Sequence, residues 1–353
     1  MIYNQVLKGI GYIFLLGLFA CNGQTKQEVD SISSDEMKEE VESASIYSLL
    51  ISKEGNLIRE DYFNGKTRDS LCDVQSLTKG LMSILVGVAI DQGFIESVDT
   101  PIEQFLFEEF EGLGDSKKKA ITIRHLLNQT SGLAWKGHLE HEDWLQSPDP
   151  IGFVLEKDLV QNPGSFYNYN SGATHLLSVI LSRASNRSTL EFAEQYLFSP
   201  LDINEVEWQK RNQGYYDGSG LGLRMRPIDL MKMGQLLEAK GSWKGKTIVS
   251  ASWVEKLLAE EEKLATTWGL PQSAHGFCWY KSEFMGKVVD YGMGYGGQFI
   301  LMIPSVQLIL VTTHREDTPR GIEQQIQFLS KDFPKLLAQF SGGNEGKMGI
   351  STK

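Results

Sequence analysis

Two pairs of strand-like runs, one at each end of the chain, constrain its fold more than any other feature. Residues 46–52 and 57–63 flank the turn signal Glu54-Gly55-Asn56, and residues 298–303 and 306–313 flank Pro304-Ser305. Short apolar runs on either side of a Gly- or Pro-containing break read as β-hairpins. Between them the chain is largely helical and irregular. Leu77, Leu81, Ile84, Leu85 and Val88 recur at one-turn spacing and predict a helix of about four turns, with Gly93 placed to end it. Further helices are predicted over residues 123–129, 174–183, 189–197, 227–239 and 251–262, Pro227 suiting a first turn and Ser250 an N-cap. A last helix over 321–340 presents Ile322, Ile326, Leu329 and Phe333 as its apolar face, and Pro334 kinks or divides it. This order predicts an α/β (α+β) fold. A mostly antiparallel sheet is assembled from the two ends of the domain and flanked by terminal helices, and a large helical lobe is inserted in the middle.

The termini read differently from the 44–340 domain. An apolar run over residues 10–20 is shorter than the roughly 20 residues a membrane span needs, and its length fits the hydrophobic part of an export signal. It ends at Cys21, and Leu18-Phe19-Ala20-Cys21 resembles the bacterial lipoprotein cleavage box, with residues 1–20 as signal peptide and Cys21 as the lipidated residue. Asn22 after the Cys suggests sorting to the outer membrane. The alternative is an ordinary signal peptide in which Cys21 is an incidental thiol. Residues 21–43 are polar and acidic and read as a tether, and the Gly- and Ser-containing tail over 341–353 reads as disordered. No internal repeat and no second domain stands out. Cys72 and Cys278 remain, too few for a disulfide framework; a bridge between them is open, and buried thiols are the simpler reading.

The formal net charge of -11 argues against a nucleic-acid partner, since phosphates are repelled unless a basic patch intervenes. Lys117-Lys118-Lys119 is brief and reads as a solvated loop. His125, His138, His141, His175, His275 and His314 show no metal-ligand spacing, and no phosphate or dinucleotide loop stands beside the strand and helix it requires, so neither metal nor cofactor is expected.

Three segments carry chemistry. Ser76-Leu-Thr-Lys79 opens the apolar helix, and a three-residue spacing puts the hydroxyl and the amine on one face near the helix N-terminus, where backbone donors face developing negative charge. The alternative is a serine helix cap followed by an exposed lysine. Pro163-Gly-Ser-Phe-Tyr-Asn-Tyr-Asn-Ser-Gly172 reads as a loop leading into the 174–183 helix, in which Tyr169 and Ser171 bracket a turn and a tyrosine hydroxyl is available to relay a proton. It reads equally as an aromatic loop packed on the core. In Tyr291-Gly-Met-Gly-Tyr-Gly-Gly-Gln298 the glycines permit close approach of a ligand, or serve turns and bulges.

Taken in this order and at these separations, the three segments resemble the beta-lactamase-related serine hydrolases. That group includes class C beta-lactamases, D-Ala-D-Ala carboxypeptidases and transpeptidases, esterases and 6-aminohexanoate-dimer hydrolases. The likeness spans residues 46–335 and includes the stretches 123–133, Tyr169-Asn-Ser-Gly172 with Leu176-Leu177, and 220–230. It implies the beta-lactamase/transpeptidase-like fold, Ser76 as nucleophile, and Lys79 and Tyr169 as its acid and base. It also implies an oxyanion hole from the backbone of Ser76 and Gln298. Ser171 stands where the family often has Asn, and is expected to organise Lys79. The third motif falls on Tyr295-Gly296-Gly297, with Tyr295 in place of a basic residue, which removes a group that attracts a substrate carboxylate. Tyr295 and Trp135 are expected as substrate walls. The implied partner is a small or peptide-like ester or amide, cleaved through an acyl-enzyme. The other readings are a carboxypeptidase or beta-lactamase, and a noncatalytic peptidoglycan-binding or sensor lipoprotein.

Overall fold

A computed structural model describes residues 46–259, 262–263 and 268–341. The export signal, Cys21, the 21–43 tether and the tail beyond Ser341 lie outside the described residues. Among those described, eight strands form one antiparallel sheet. Its order is β2 (Asn56–Tyr62), β1 (Ile46–Lys53), β13 (Leu308–His314), β12 (Gln298–Ile303), β11 (Lys287–Gly294), β10 (Trp279–Phe284), β9 (Ala274–Gly276) and β8 (Glu262–Lys263). The two predicted hairpins are β1–β2 and β12–β13, and they meet through β1 and β13, where Leu50 opposes Val311. A short sheet of β3 (Cys72–Asp73), β5 (Leu223–Met225) and β4 (Val206–Trp208) and a ribbon of β6 (Ser242–Trp243) and β7 (Lys246–Thr247) stand apart from it.

Both faces of the main sheet are covered. Leu50, Ile300, Met302, Ile309 and Val311 join the core of the helical lobe, while Leu49, Ile51, Phe299, Leu301 and Leu310 pack on the terminal helices. Alternate residues of a strand point to opposite faces, so a strand buried on both sides reads as an unbroken apolar run, as Phe299–Ile303 does. The predicted central helix is α1 (Leu77–Asp91), buried on every side from Leu77 to Ala89. A helix apolar all round belongs in the middle of a large core, and α1 lies between β11 and the helix α3 described below.

The predicted helices that follow are α2 (Ile123–Leu127), α3 (Ser171–Ser185), α4 (Thr189–Ala193), α5 (Pro227–Glu238), α6 (Ala251–Leu257), α7 (Gly321–Gln327) and α8 (Phe333–Ser341), and short helices not anticipated from the sequence form at Phe107–Glu111, His141–Gln146 and Pro150–Leu155. α2 ends two residues before its predicted end, and α4 gives way, within its predicted span, to a π turn at Glu194–Phe198; three others differ further. α3 begins at Ser171, three residues before the predicted start, because the Asn170 side chain caps it by accepting from the Ala173 N–H at 2.8 Å. α6 stops at Leu257 rather than 262, since Ala259-Glu-Glu-Glu-Lys263 offers nothing large to hold a helix on the core, and Glu262–Lys263 pair with β9 instead. The last helix is divided by a π turn at Phe328–Asp332, just before Pro334, whose missing N–H leaves one rung of the ladder unfilled. That turn shifts the buried stripe: Phe328, Leu329, Phe333, Leu336 and Leu337 are buried, while Ile322 and Ile326, expected on the apolar face, are 41% and 39% exposed. Gln325 takes the inward position, its amide donating to Trp268 O at 2.5 Å.

Candidate active site

Ser76 ends a tightly turned entry into α1. Gln75 holds a left-handed φ of 50°, uncommon outside glycine, and the Asp73 carboxylate accepts from its N–H (2.9 Å) and its side-chain amide (3.0 Å). Burial pushes the Asp73 carboxyl up to about 6. Ser76 is the N-cap residue of α1, but its side chain makes no cap hydrogen bond, so the hydroxyl is available for other partners.

Those partners are Lys79 and Tyr169. Lys79 Nζ donates to Ser76 Oγ at 3.1 Å, and Tyr169 OH donates to the same oxygen at 2.7 Å. Lys79 is 3% exposed, which removes the reading of a serine cap followed by a solvated lysine. Its Nζ also contacts the Ser219 carbonyl and stands 4.8 Å from the centre of the Tyr169 ring. Tyr169 is held from both sides by Gln129, whose backbone carbonyl accepts from Asn168 N (2.8 Å) and whose side-chain oxygen accepts from Asn170 N (2.5 Å).

The glycines of 291–298 bring β11 and β12 against this group. Tyr291–Gly294 is part of β11 itself, with Gly292 and Gly294 on the face toward α1. A Cβ on Gly292 would lie 2.8 Å from the Leu77 side chain, and one on Gly294 2.9 Å from Gln75 Cβ. Gln298 opens β12 opposite Gly294, next to the residues that precede Ser76. Its buried side chain accepts from His314 N (2.9 Å) and donates to His314 O (2.9 Å), tying the start of β12 to the end of β13. Burial pulls the His314 imidazole down to about 4, and the neutral ring is positioned to donate from Nδ1 to Gly297 O at 2.7 Å. Gly296 and Gly297 have φ of 89° and 108°, a turn that a side chain would strain.

The remaining sequence candidates sit differently. Tyr295 donates its hydroxyl to Thr318 O at 2.9 Å and its ring lies against Gly321, so it is committed to the segment after β13. Ser171 is fully buried in the first turn of α3, and its hydroxyl has no hydrogen-bond partner among the described residues; its expected link to Lys79 is not made, the contact going to Ser219 O instead. The earlier start of α3 accounts for this, because it draws Ser171 into a helix. Trp135 is 6% exposed, with His141, Trp144 and Phe153 around its ring and the start of α3 above it at Gly172. Sequence reading passed over Gln129, Ser219 and Trp268, the last edge-on to the Tyr169 ring at 6.1 Å between centroids. Gln129 and Gly220 lie within the stretches noted at 123–133 and 220–230, which was the only signal. Cys72 and Cys278 are separate buried thiols, Cys278 pushed up to about 12 by burial. Among the described residues no three His, Cys, Asp or Glu side chains converge as a metal site needs.

The beta-lactamase family model matches residues 39–326. The chain belongs to the beta-lactamase family. It is 21% identical over 299 residues to the 6-aminohexanoate-dimer hydrolase of Paenarthrobacter ureafaciens, covering 78% of this chain and 74% of that protein. A Bacillus anthracis structure with a provisional 6-aminohexanoate-dimer hydrolase name superposes with a TM-score of 0.70 at 18% identity, over 86% of this chain and 82% of that one. The D-alanine carboxypeptidase AmpC of Burkholderia cenocepacia superposes at 0.63 with 13% identity, over 87% and 100%. At these identities the superpositions establish a beta-lactamase/transpeptidase-like fold, the antiparallel sheet with helices anticipated from the sequence.

Proposed function

We propose that this family member is a serine hydrolase that cleaves uncharged esters or amides through an acyl-enzyme on Ser76. The observation that carries the reading is the convergence of Tyr169 OH (2.7 Å) and Lys79 Nζ (3.1 Å) on one otherwise uncommitted serine hydroxyl. A serine is a weak nucleophile until a neighbour takes its proton, and here two groups stand within hydrogen-bond reach. Ser76 Oγ attacks the substrate carbonyl and passes its proton to the Lys79/Tyr169 pair. The backbone N–H groups of Ser76 and Gln298 hold the oxyanion, and the pair returns the proton to the leaving group. Water then resolves the ester.

Substrate charge separates this reading from beta-lactamase or carboxypeptidase activity. Tyr295 occupies the third-motif position of a basic residue, and its hydroxyl is engaged by Thr318 O. A charge-assisted hydrogen bond contributes about 1.5–3 kcal/mol, so a substrate carboxylate that lacks one forfeits about 10- to 150-fold in kcat/KM. The expected ranking in a panel is short-chain p-nitrophenyl esters first, with nitrocefin and D-Ala-D-Ala peptides lower by at least about tenfold. The 6-aminohexanoate dimer, the substrate in the name of the Paenarthrobacter relative, belongs in the same panel. Rapid nitrocefin turnover that disappears in Ser76→Ala would reassign the enzyme. A folded protein that Ser76-directed probes never acylate would favour the noncatalytic sensor reading.

The proposal extends to location: Cys21 carries lipid and holds the domain at a bacterial membrane through the 21–43 tether, facing the periplasm or the exterior. Metabolic labelling with palmitate in a bacterial host is expected to mark the wild-type chain and not Cys21→Ser. Equal labelling of both would remove the anchor.

A further inference from the structure

We infer that Asp217 is a positioning residue for Lys79, acting through the orientation of the Ser219–Gly220 peptide. This rests on the catalytic reading of Lys79. Asp217 is fully buried on the loop between β4 and β5, with more than a hundred residues of chain between it and α1. Its Oδ1 accepts from the backbone N–H groups of Ser219 (2.7 Å), Gly220 (3.0 Å) and Leu221 (3.1 Å), and its carboxylate accepts from Ser219 Oγ at 2.8 and 3.0 Å. Oδ2 is ion-paired with Arg211 Nε at 2.8 Å. The main chain of Asp217 is fixed as well: its N–H donates to Gln209 O (2.9 Å) and its carbonyl accepts from Trp208 Nε1 (2.7 Å). The remaining N–H of the turn, that of Gly218, donates to His175 Nδ1 at 3.3 Å. The charged and titratable groups facing this carboxylate are therefore Arg211 from its own loop and His175 from α3, with Asp73 and Lys79 beyond the turn.

The peptide geometry supplies the link. The Ser219 carbonyl and the Gly220 N–H belong to one planar trans unit and point in opposite directions. Pinning the N–H on Asp217 therefore aims the carbonyl the other way, where it meets Lys79 Nζ. Gly220 has φ of 106°, and a Cβ there would stand 2.9 Å from Lys79 Nζ, 2.9 Å from Ser76 Cα and 3.0 Å from Ser76 Oγ. The turn that Asp217 folds thus lies directly on the nucleophile and its amine. Without the carboxylate the peptide has no reason to keep this orientation, and a buried amine with a missing acceptor is free to leave Ser76.

The test compares wild type, Asp217→Ala, and the double variant Asp217→Asn with Arg211→Gln, which removes both charges but keeps an acceptor oxygen for the three N–H groups. Activity on a p-nitrophenyl ester is expressed per active site, titrated with a fluorophosphonate, so that a misfolded fraction does not count. Asp217→Ala is expected to lose about 10- to 100-fold in kcat, the scale of a misplaced catalytic group, with KM nearly unchanged. The double variant is expected to recover most of that loss. In the Asp217→Ala crystal structure the Ser219 carbonyl is expected to have turned away from Lys79. If Asp217→Ala does not fold, Asp217→Glu, which keeps the charge but displaces the oxygens, is read in the same way. Unchanged kcat per site with the carbonyl still on Lys79 would overturn the inference, as would a loss that the double variant does not restore. Should wild-type Ser76 prove unreactive, the catalytic reading falls, and the crystal structure still decides whether Asp217 sets the peptide.

Discussion

Ser76→Ala is expected to abolish turnover of an activated ester, with a fall in kcat of at least about a thousandfold. Intact mass after incubation with a fluorophosphonate is expected to show one added phosphonyl group on the wild type and none on the variant. The physical case is narrow: the hydroxyl makes no cap bond in α1, and its described partners are Tyr169 at 2.7 Å and Lys79 at 3.1 Å. Removing it subtracts the reacting atom and little that holds the fold, so the melting temperature should stay close to that of the wild type. A variant that retains more than a tenth of the activity, or an adduct that maps to another residue, sinks the assignment.

The second large effect belongs to Lys79→Met. Methionine fills nearly the same volume, and α1 is buried on every side around this position. A buried amine needs hydrogen-bond partners, whereas a thioether does not, and this offsets the donor lost to the Ser219 carbonyl, so the variant should fold with stability close to that of the wild type. Activity should not hold. With the amine gone, Ser76 loses one of its two proton-handling neighbours, and kcat is expected to fall by about 10²- to 10⁴-fold, the usual contribution of a positioned acid or base. Stability held together with lost turnover marks a residue kept for chemistry rather than for the fold. If activity and melting temperature fall in step, Lys79 is a structural lysine and Tyr169 must carry the proton alone.

Much of this site was legible because its core is local. Ser76 and Lys79 lie one helical turn apart, and once α1 forms, the spacing alone brings them to one face. Tyr169 and the glycine run were legible as motifs. Gly292 and Gly294 allow close approach, but of the Leu77 and Gln75 side chains at the start of α1, where the sequence suggested a ligand. Ser171 misled because Asn170, immediately before it, is the stronger cap and starts α3 early. Ile322 and Ile326 misled because a helix periodicity carried through a π turn loses its phase.

The amino-acid sequence determined the two hairpins, the buried central helix and the Ser76–Lys79 pair. These follow from turn chemistry, apolar periodicity and helical spacing, which act over a few residues. Tertiary structure alone decided that β1 pairs with β13, that Gln129 clamps both neighbours of Tyr169, and that the Ser219 carbonyl comes to Lys79 from 140 residues away. Those contacts depend on which segments pack together and on how each buried N–H and C=O finds a partner, and no short-range pattern encodes that pairing.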